Sequence, residues 1–296
     1  MKTDTLLLEK WWDELTDEEF QDIFRMNKKT VIDLQAEIDY SENVYEDRTD
    51  PVLLTCLWYL GNTKPLEEAE ELFNMKDIET AIQQYLLKIL QLGSVYILWP
   101  ALDEMKLIEN GFAKEYKFPG VVGVIGSLHI ETNASEQSDA ELYYNEVMEK
   151  HSIILQVVCD SNCILRDVCV GCPGGKSIKE IFETSPLYAY VVGEDSVLSK
   201  NEFHLLGGTE LPQLDSLLTP YKFISEERIT EQQYQYNLLH ESVMNVVEKT
   251  FRCLENRFPR LTTIEKPEFA SLITSCVCVL HNFTLVHNDC CELYSM

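Results

Sequence analysis

The chain has 296 residues, 45% of them hydrophobic, enough to bury the core of one large domain or of a domain with a smaller companion. Acids outnumber bases 50 to 24, for a formal charge of −26. A duplex-binding surface needs clustered Lys and Arg to displace counterions from phosphates, so autonomous nucleic-acid binding is not expected.

Targeting signals are weak. Leu6-Leu7-Leu8 is ended by Glu9 and Lys10 and is too short for a secretory leader. No uninterrupted apolar run reaches the roughly 18 residues that a bilayer span needs. A soluble, intracellular protein with its ten cysteines reduced is the expectation, with no membrane partner.

Residues 1–110 read as helical. Trp11 and Trp12 precede Thr16-Asp17-Glu18-Glu19, in which Thr and Glu three apart can satisfy reciprocal backbone donors as a capping box. Phe20, Ile23 and Phe24 then form one apolar face. Asn27 is a second N-cap, ahead of Val31, Leu34 and Ile38. The acidic stretch 40–50 reads as a loop. Three short helices follow: 51–60, stopped by Gly61-Asn62; 65–73, opened by Pro65; and 77–90. Their order resembles a helix-turn-helix. Its last helix, however, starts Asp77-Ile78-Glu79 and carries one base, Lys88, so a helical lid is the blander reading.

From Phe118 the pattern changes to strands. Residues 121–130 are apolar, with glycines and one His, and read as a buried strand. Residues 132–140 form a polar loop. Segments 151–159 and 164–171 make a hairpin around the turn residues Asp160-Ser161-Asn162. A short helix is expected over 177–182 and a further strand over 203–206. A long helix follows over 230–257, with Leu239, Val243, Val246, Val247, Thr250 and Leu254 at helical spacing and Glu248 at the stripe's polar margin. The final helix covers 267–287.

Few familiar catalytic motifs are present. No G-x-S-x-G elbow or P-loop occurs. Cys159, Cys163, Cys169 and Cys172 invite a zinc reading. Against it, Cys159 and Cys163 flank a turn, and Cys169 and Cys172, three apart on a strand, should face opposite sides. Buried thiols as small hydrophobes is the preferred reading. His129, His281 and His287 sit singly on apolar elements and read as hydrogen-bonded core or edge residues.

Several segments together carry a family resemblance. They are Phe118-Pro119-Gly120-Val121-Val122-Gly123-Val124-Ile125-Gly126-Ser127-Leu128-His129-Ile130, Leu205-Leu206-Gly207-Gly208, Leu218-Thr219-Pro220-Tyr221, Val246-Val247-Glu248-Lys249-Thr250-Phe251 with Arg257-Phe258, and Val279-Leu280-His281-Asn282. Pro173-Gly174 and Tyr188 add to them. The sequence resembles the PIF/Harbinger transposase-derived nucleases, RNase H-like members of the DDE superfamily. The resemblance implies an α/β fold, a mixed sheet flanked by helices over 111–296, preceded by an all-α region with a degenerate helix-turn-helix over 1–110.

The resemblance also assigns the metal-binding carboxylates. The first-strand aspartate of the family pattern F-P-x-x-x-G-A-I-D-G-T-H-I falls on Gly126. The second, in a leucine-leucine-glycine-aspartate-serine pattern, falls on Gly208. The third, in a valine-valine-glutamate-arginine-alanine-phenylalanine pattern, is retained as Glu248. Two-metal phosphodiester chemistry needs carboxylates converging on ions about 3.5–4 Å apart, and one carboxylate cannot fix two ions. The expectation is therefore a catalytically degenerate member whose catalytic set is not intact, with Glu248 its surviving position and no metal or cofactor. The alternative is a divalent-metal-dependent DNA endonuclease with displaced ligands, drawing Mg²⁺ onto Glu210 or Asp160; Glu131 falls on the opposite strand face.

Partners follow from the same resemblance. In this family the transposase works with a separate Myb/SANT-like DNA-binding protein that helps bring it into the nucleus. An acidic chain with no Lys/Arg-rich import run fits such dependence. The expected role is a protein-interaction or regulatory subunit beside a Myb/SANT-like or chromatin protein, nuclear and/or cytoplasmic. A third reading is a DNA mimic whose acids occupy another protein's DNA site.

Overall fold

The computed structural model describes residues 6–42, 49–134, 139–193, 196–222, 230–264 and 267–289. Much of the loops expected over 40–50 and 132–140, together with Cys290 and Cys291, lies outside the described residues. Packing divides the chain into two compact units, Met1–Tyr96 with Cys253–Met296, and Ile97–Arg252. This is a different partition from a single boundary at 110/111, because the last helix packs among the N-terminal ones.

The first unit is all-helical. Helix Asp17–Phe24 starts on the expected capping box: Glu19 N–H donates to Thr16 Oγ1 at 3.3 Å and Thr16 N–H donates to Glu19 Oε2 at 2.9 Å. Helix Pro51–Leu60 is capped by Asp50 and buried from Leu53 to Leu60. Helix Ile78–Gln91 turns Ile78, Ile82, Tyr85, Leu86 and Ile89 inward. Against it packs Pro267–Val286, whose Cys276 Sγ contacts the Leu86 carbonyl oxygen at 3.0 Å. That helix is long and apolar enough to cross a membrane by length and composition alone, although 67% of the relevant window is buried inside the structure. Its apolar run is interrupted by Thr274, Ser275, His281 and Asn282.

A buried polar hub ties the ends of this unit together. Asp289 is almost fully buried. Its Oδ1 accepts from Gln21 Nε2 at 2.8 Å and its Oδ2 from Asn27 N–H at 2.9 Å. Arg257 Nη2 donates to the Asp289 carbonyl oxygen. A buried carboxylate is tolerated because Gln21 and Asn27 donate to its two oxygens and the Arg257 guanidinium stands 3.7 Å from Oδ1.

The second unit is built on a mixed sheet. Its strands are β1 (Val121–Glu131), β2 (Tyr144–Asn145), β3 (Lys150–Cys159), β4 (Leu165–Pro173), β5 (His204–Leu206) and β6 (Leu217–Leu218). β1 pairs antiparallel with β3, and β3 with β4; β5 pairs parallel with β1, and β6 with β5. The spatial order β4-β3-β1-β5-β6, three antiparallel strands continued by two parallel ones, is the RNase H-like arrangement. Helix Leu102–Tyr116, not among the elements expected from the sequence, packs on β1.

Alternation along β1 sends neighbouring residues to opposite faces. Ile125 joins Val158, Leu205, Phe182, Leu187, Val191 and Leu198 in a core on one face. Phe182, Leu187, Val191 and Leu198 come from the short helices Ile178–Thr184, Pro186–Val192 and Val197–Lys200. On the other face, Gly126 lies beneath Val247 and Phe251 of the long helix Glu231–Arg257.

Candidate functional site

The parallel pairing of β1 with β5 ends at Val124↔Leu206; Gly126 lies two residues further along β1, and Gly208 two residues beyond the end of β5. The first-strand position assigned by the resemblance is thus mid-strand in β1, and the second lies just past the carboxyl end of β5. Glu248 lies on the helix that covers the first of them.

Each position is now differently furnished. A Cβ added at Gly126 would lie 2.4 and 2.9 Å from the two γ-methyls of Val247 and 3.1 Å from Phe251 Cε2. Val247 and Phe251 are buried, so no pocket receives a side chain there. A Cβ at Gly208 would meet both carboxylate oxygens of Glu210 at 2.5 Å; Glu210 is exposed and folds back over its glycine neighbour. Glu248, one residue after the methyls that cap Gly126, is exposed. Among the described residues, no group of three His, Cys, Asp or Glu side chains could hold a metal ion. The side chains at these positions do not fit a pair of divalent ions, because apolar methyls stand where the first donor would be.

The remaining acids have other work. Asp160 is buried. Its Oδ1 accepts from Asn162 N–H (2.8 Å) and Ile164 N–H (3.1 Å), and its Oδ2 from Arg166 Nε (2.9 Å) and Nη2 (2.7 Å). The same guanidinium reaches Glu104 at 2.7 Å. With its lone pairs engaged, the Asp160 carboxylate is a staple of the hairpin turn and not a displaced ligand. Glu131 pairs with Lys150 at 2.6 Å and, five residues from Gly126, sits on the opposite face of β1.

Cys169 and Cys172 do not face opposite sides. Register runs Cys169↔Gln156, Val170↔Leu155, then Cys172↔Ile154, so Gly171, at φ 96°, is an extra residue in β4. This bulge resets the alternation and puts both thiols on one face. Cys159 pairs with Val124, on the face of Gly126, where Thr250 contacts the Cys159 and Cys163 thiols. The two pairs lie on opposite faces, so the four sulfurs never converge on one zinc. Burial also pushes the Cys159 and Cys163 thiols up, away from the thiolate a metal would need.

The histidines are structural. His129 Nδ1 lies 2.9 Å from Ser152 Oγ. His281 is fully buried in the last helix. His287 stacks on Phe283 with ring centroids 4.2 Å apart and contacts Asp33 at 3.2 Å.

An RNase H-like sheet with the long helix Glu231–Arg257 laid over its first strand is the fold of a DDE-type nuclease. The comparisons agree: residues 125–282 match the sequence profile of the DDE superfamily endonucleases, and the chain belongs to that family. Its PIF/Harbinger character is matched by relatives named "Putative nuclease HARBI1". The human protein is 31% identical over 206 residues, covering 67% of this chain and 56% of the relative; the cattle protein gives the same figures. The frog Xenopus laevis protein is 27% identical over 215 residues, covering 68% and 56%. The chain therefore matches little more than half the length of these relatives. No solved structure matches it.

Proposed function

We propose that this chain is a domesticated, transposase-derived pseudo-nuclease that serves as a protein-interaction or regulatory subunit. The observation that carries this reading is the packing of Val247 and Phe251 directly over Gly126. A metal-dependent cutter needs an acid at that point of the first strand, and the helix has closed onto it. The charge of −26 opposes unaided binding to phosphates and favours a basic partner. A Myb/SANT-like DNA-binding protein or a chromatin protein is the proposed partner, and nuclear entry through it would leave the chain nuclear and/or cytoplasmic. Affinity purification with mass spectrometry tests the partner: a basic Myb/SANT-like or chromatin protein as main prey supports the reading, and recovery of neither removes its mechanism.

A second reading, a divalent-metal-dependent endonuclease with displaced ligands, rests on Glu210. Its carboxylate occupies the space that a side chain at 208 would use, which is where the second donor belongs. Incubation with plasmid DNA and Mg²⁺ or Mn²⁺ separates the two. Cleavage lost in both Glu210→Gln and Glu248→Ala would establish the enzyme; intact plasmid favours the subunit.

A further inference from the structure

The thiols of Cys169 and Cys172 are the accessible chemistry that the nuclease ancestry leaves unused. The sequence Cys169-Val170-Gly171-Cys172 lies on β4. Three residues apart on a regular strand would separate the two Cα atoms by about 10 Å, beyond the reach of a disulfide. The bulge at Gly171 changes this. The cysteines oppose Gln156 and Ile154, two residues apart on β3, which brings their Cα spacing to about 6.7 Å, the upper end of the bridging range. The two sulfurs are near enough to feel each other's charge. Both residues are only half-buried, whereas Cys56, Cys159, Cys163, Cys253, Cys276 and Cys278 are buried.

We propose that Cys169 and Cys172 form a redox-modification site that exchanges with small-molecule disulfides and closes into an internal disulfide. Burial, the neighbouring Cys172 sulfur and Asp167 push Cys169 up to about 11, so Cys169 keeps its proton at neutral pH and is assigned the second, resolving step. The Cys172 thiolate attacks one sulfur of R–S–S–R, forming a mixed disulfide and releasing RS⁻. Cys169, once deprotonated, attacks the Cys172 sulfur and displaces the second RS⁻. The protein loses two protons and two electrons, and two RSH are formed. Gly171 is the enabling residue, because its positive φ makes the bulge and no β-branched side chain adopts it without strain.

The site has a clean readout. Trypsin cuts after Arg166 and Lys176, giving a peptide 167–176 that contains these two cysteines and no others. Folded full-length chain is incubated with oxidised glutathione, its free thiols are blocked, and the digest is weighed. The expected result is a peptide two hydrogen atoms lighter and unblocked at both cysteines. Cys169→Ser is expected to trap glutathione on Cys172, and Cys172→Ser to carry little or none on Cys169. Gly171→Val, confirmed as folded by circular dichroism, is expected to lose the internal disulfide while Cys172 still takes up glutathione. A wild-type peptide that stays fully blockable, or that keeps glutathione on Cys172 without closing, overturns the proposal.

Discussion

Val247 occupies the volume that any side chain at Gly126 would need, with its nearer γ-methyl 2.4 Å from the position of an added Cβ. Strand and helix are complementary here: the residue without a side chain lets the helix approach, and the helix then forbids its return. Restoring an acid to the strand is therefore a packing change before it is a catalytic one.

Gly126→Ala is expected to destabilise the chain by about 1–3 kcal/mol through overpacking, read as a lower urea midpoint. Gly126→Asp should cost more, since a carboxylate would be forced among methyls and the Phe251 ring. In the background of Val247→Ala the cost of Gly126→Ala should shrink, and the double-mutant cycle should show coupling of about 0.5–3 kcal/mol. Strict additivity would mean that the two residues do not share one space.

Glu248→Ala should leave stability within about 0.5 kcal/mol of wild type, because the side chain is exposed and lies away from the buried stripe. Thermal unfolding with and without Mg²⁺ checks the same point. A metal-dependent rise in Tm that disappears in Glu248→Ala would contradict the proposed loss of function.

Asp160→Ala should be among the most damaging single changes in the sheet unit. It leaves two turn N–H groups unpaired and the Arg166 guanidinium, 13% exposed, without its bidentate partner; a loss of about 3–5 kcal/mol is expected. Glu104→Ala removes the exposed side of the same network and should cost under about 1 kcal/mol. Equal effects would show that the buried arm is not the stronger one.

Acid should weaken the fold from a predictable direction. Burial holds His204 and His240 below the imidazole value of 6.5, against the opposing pull of Glu202 carbonyl and Glu109 on the first and of Leu218 and Gly207 carbonyls on the second. Above 6.5 both folded and unfolded chains keep these rings neutral, so their contribution is present in full. As pH falls from 6.5 towards the depressed folded values, the unfolded chain takes up protons that the folded chain does not, and stability drops. Urea midpoints should decline across that window, less steeply in His240→Gln. An unchanged slope in that variant would remove His240 from the account.

Much of the architecture was legible in sequence because it is local. Thr16 and Glu19 close a capping box whatever surrounds them, and Asp160-Ser161-Asn162 turns the hairpin through its own backbone hydrogen bonds. The apolar run after Phe118 declared a buried strand, and the stripe through Val243, Val247 and Leu254 declared a helix with one face inward. Helix Leu102–Tyr116 was not expected, although Met105, Ile108 and Phe112 stand at helical spacing after Pro100.

The resemblance carried by the sequence assigns glycines to two positions where the family pattern has aspartates, an assignment that needs no coordinates. Tertiary structure alone decided what fills the space: Val247 and Phe251 over Gly126, a carboxylate folded over Gly208, and an Asp160 already consumed by a turn. It also placed Cys169 and Cys172 on one face, because a single extra residue in a strand reverses the alternation on which any reading of faces depends. Side-chain direction and neighbouring volume are properties of paired elements, and no single stretch of chain contains them.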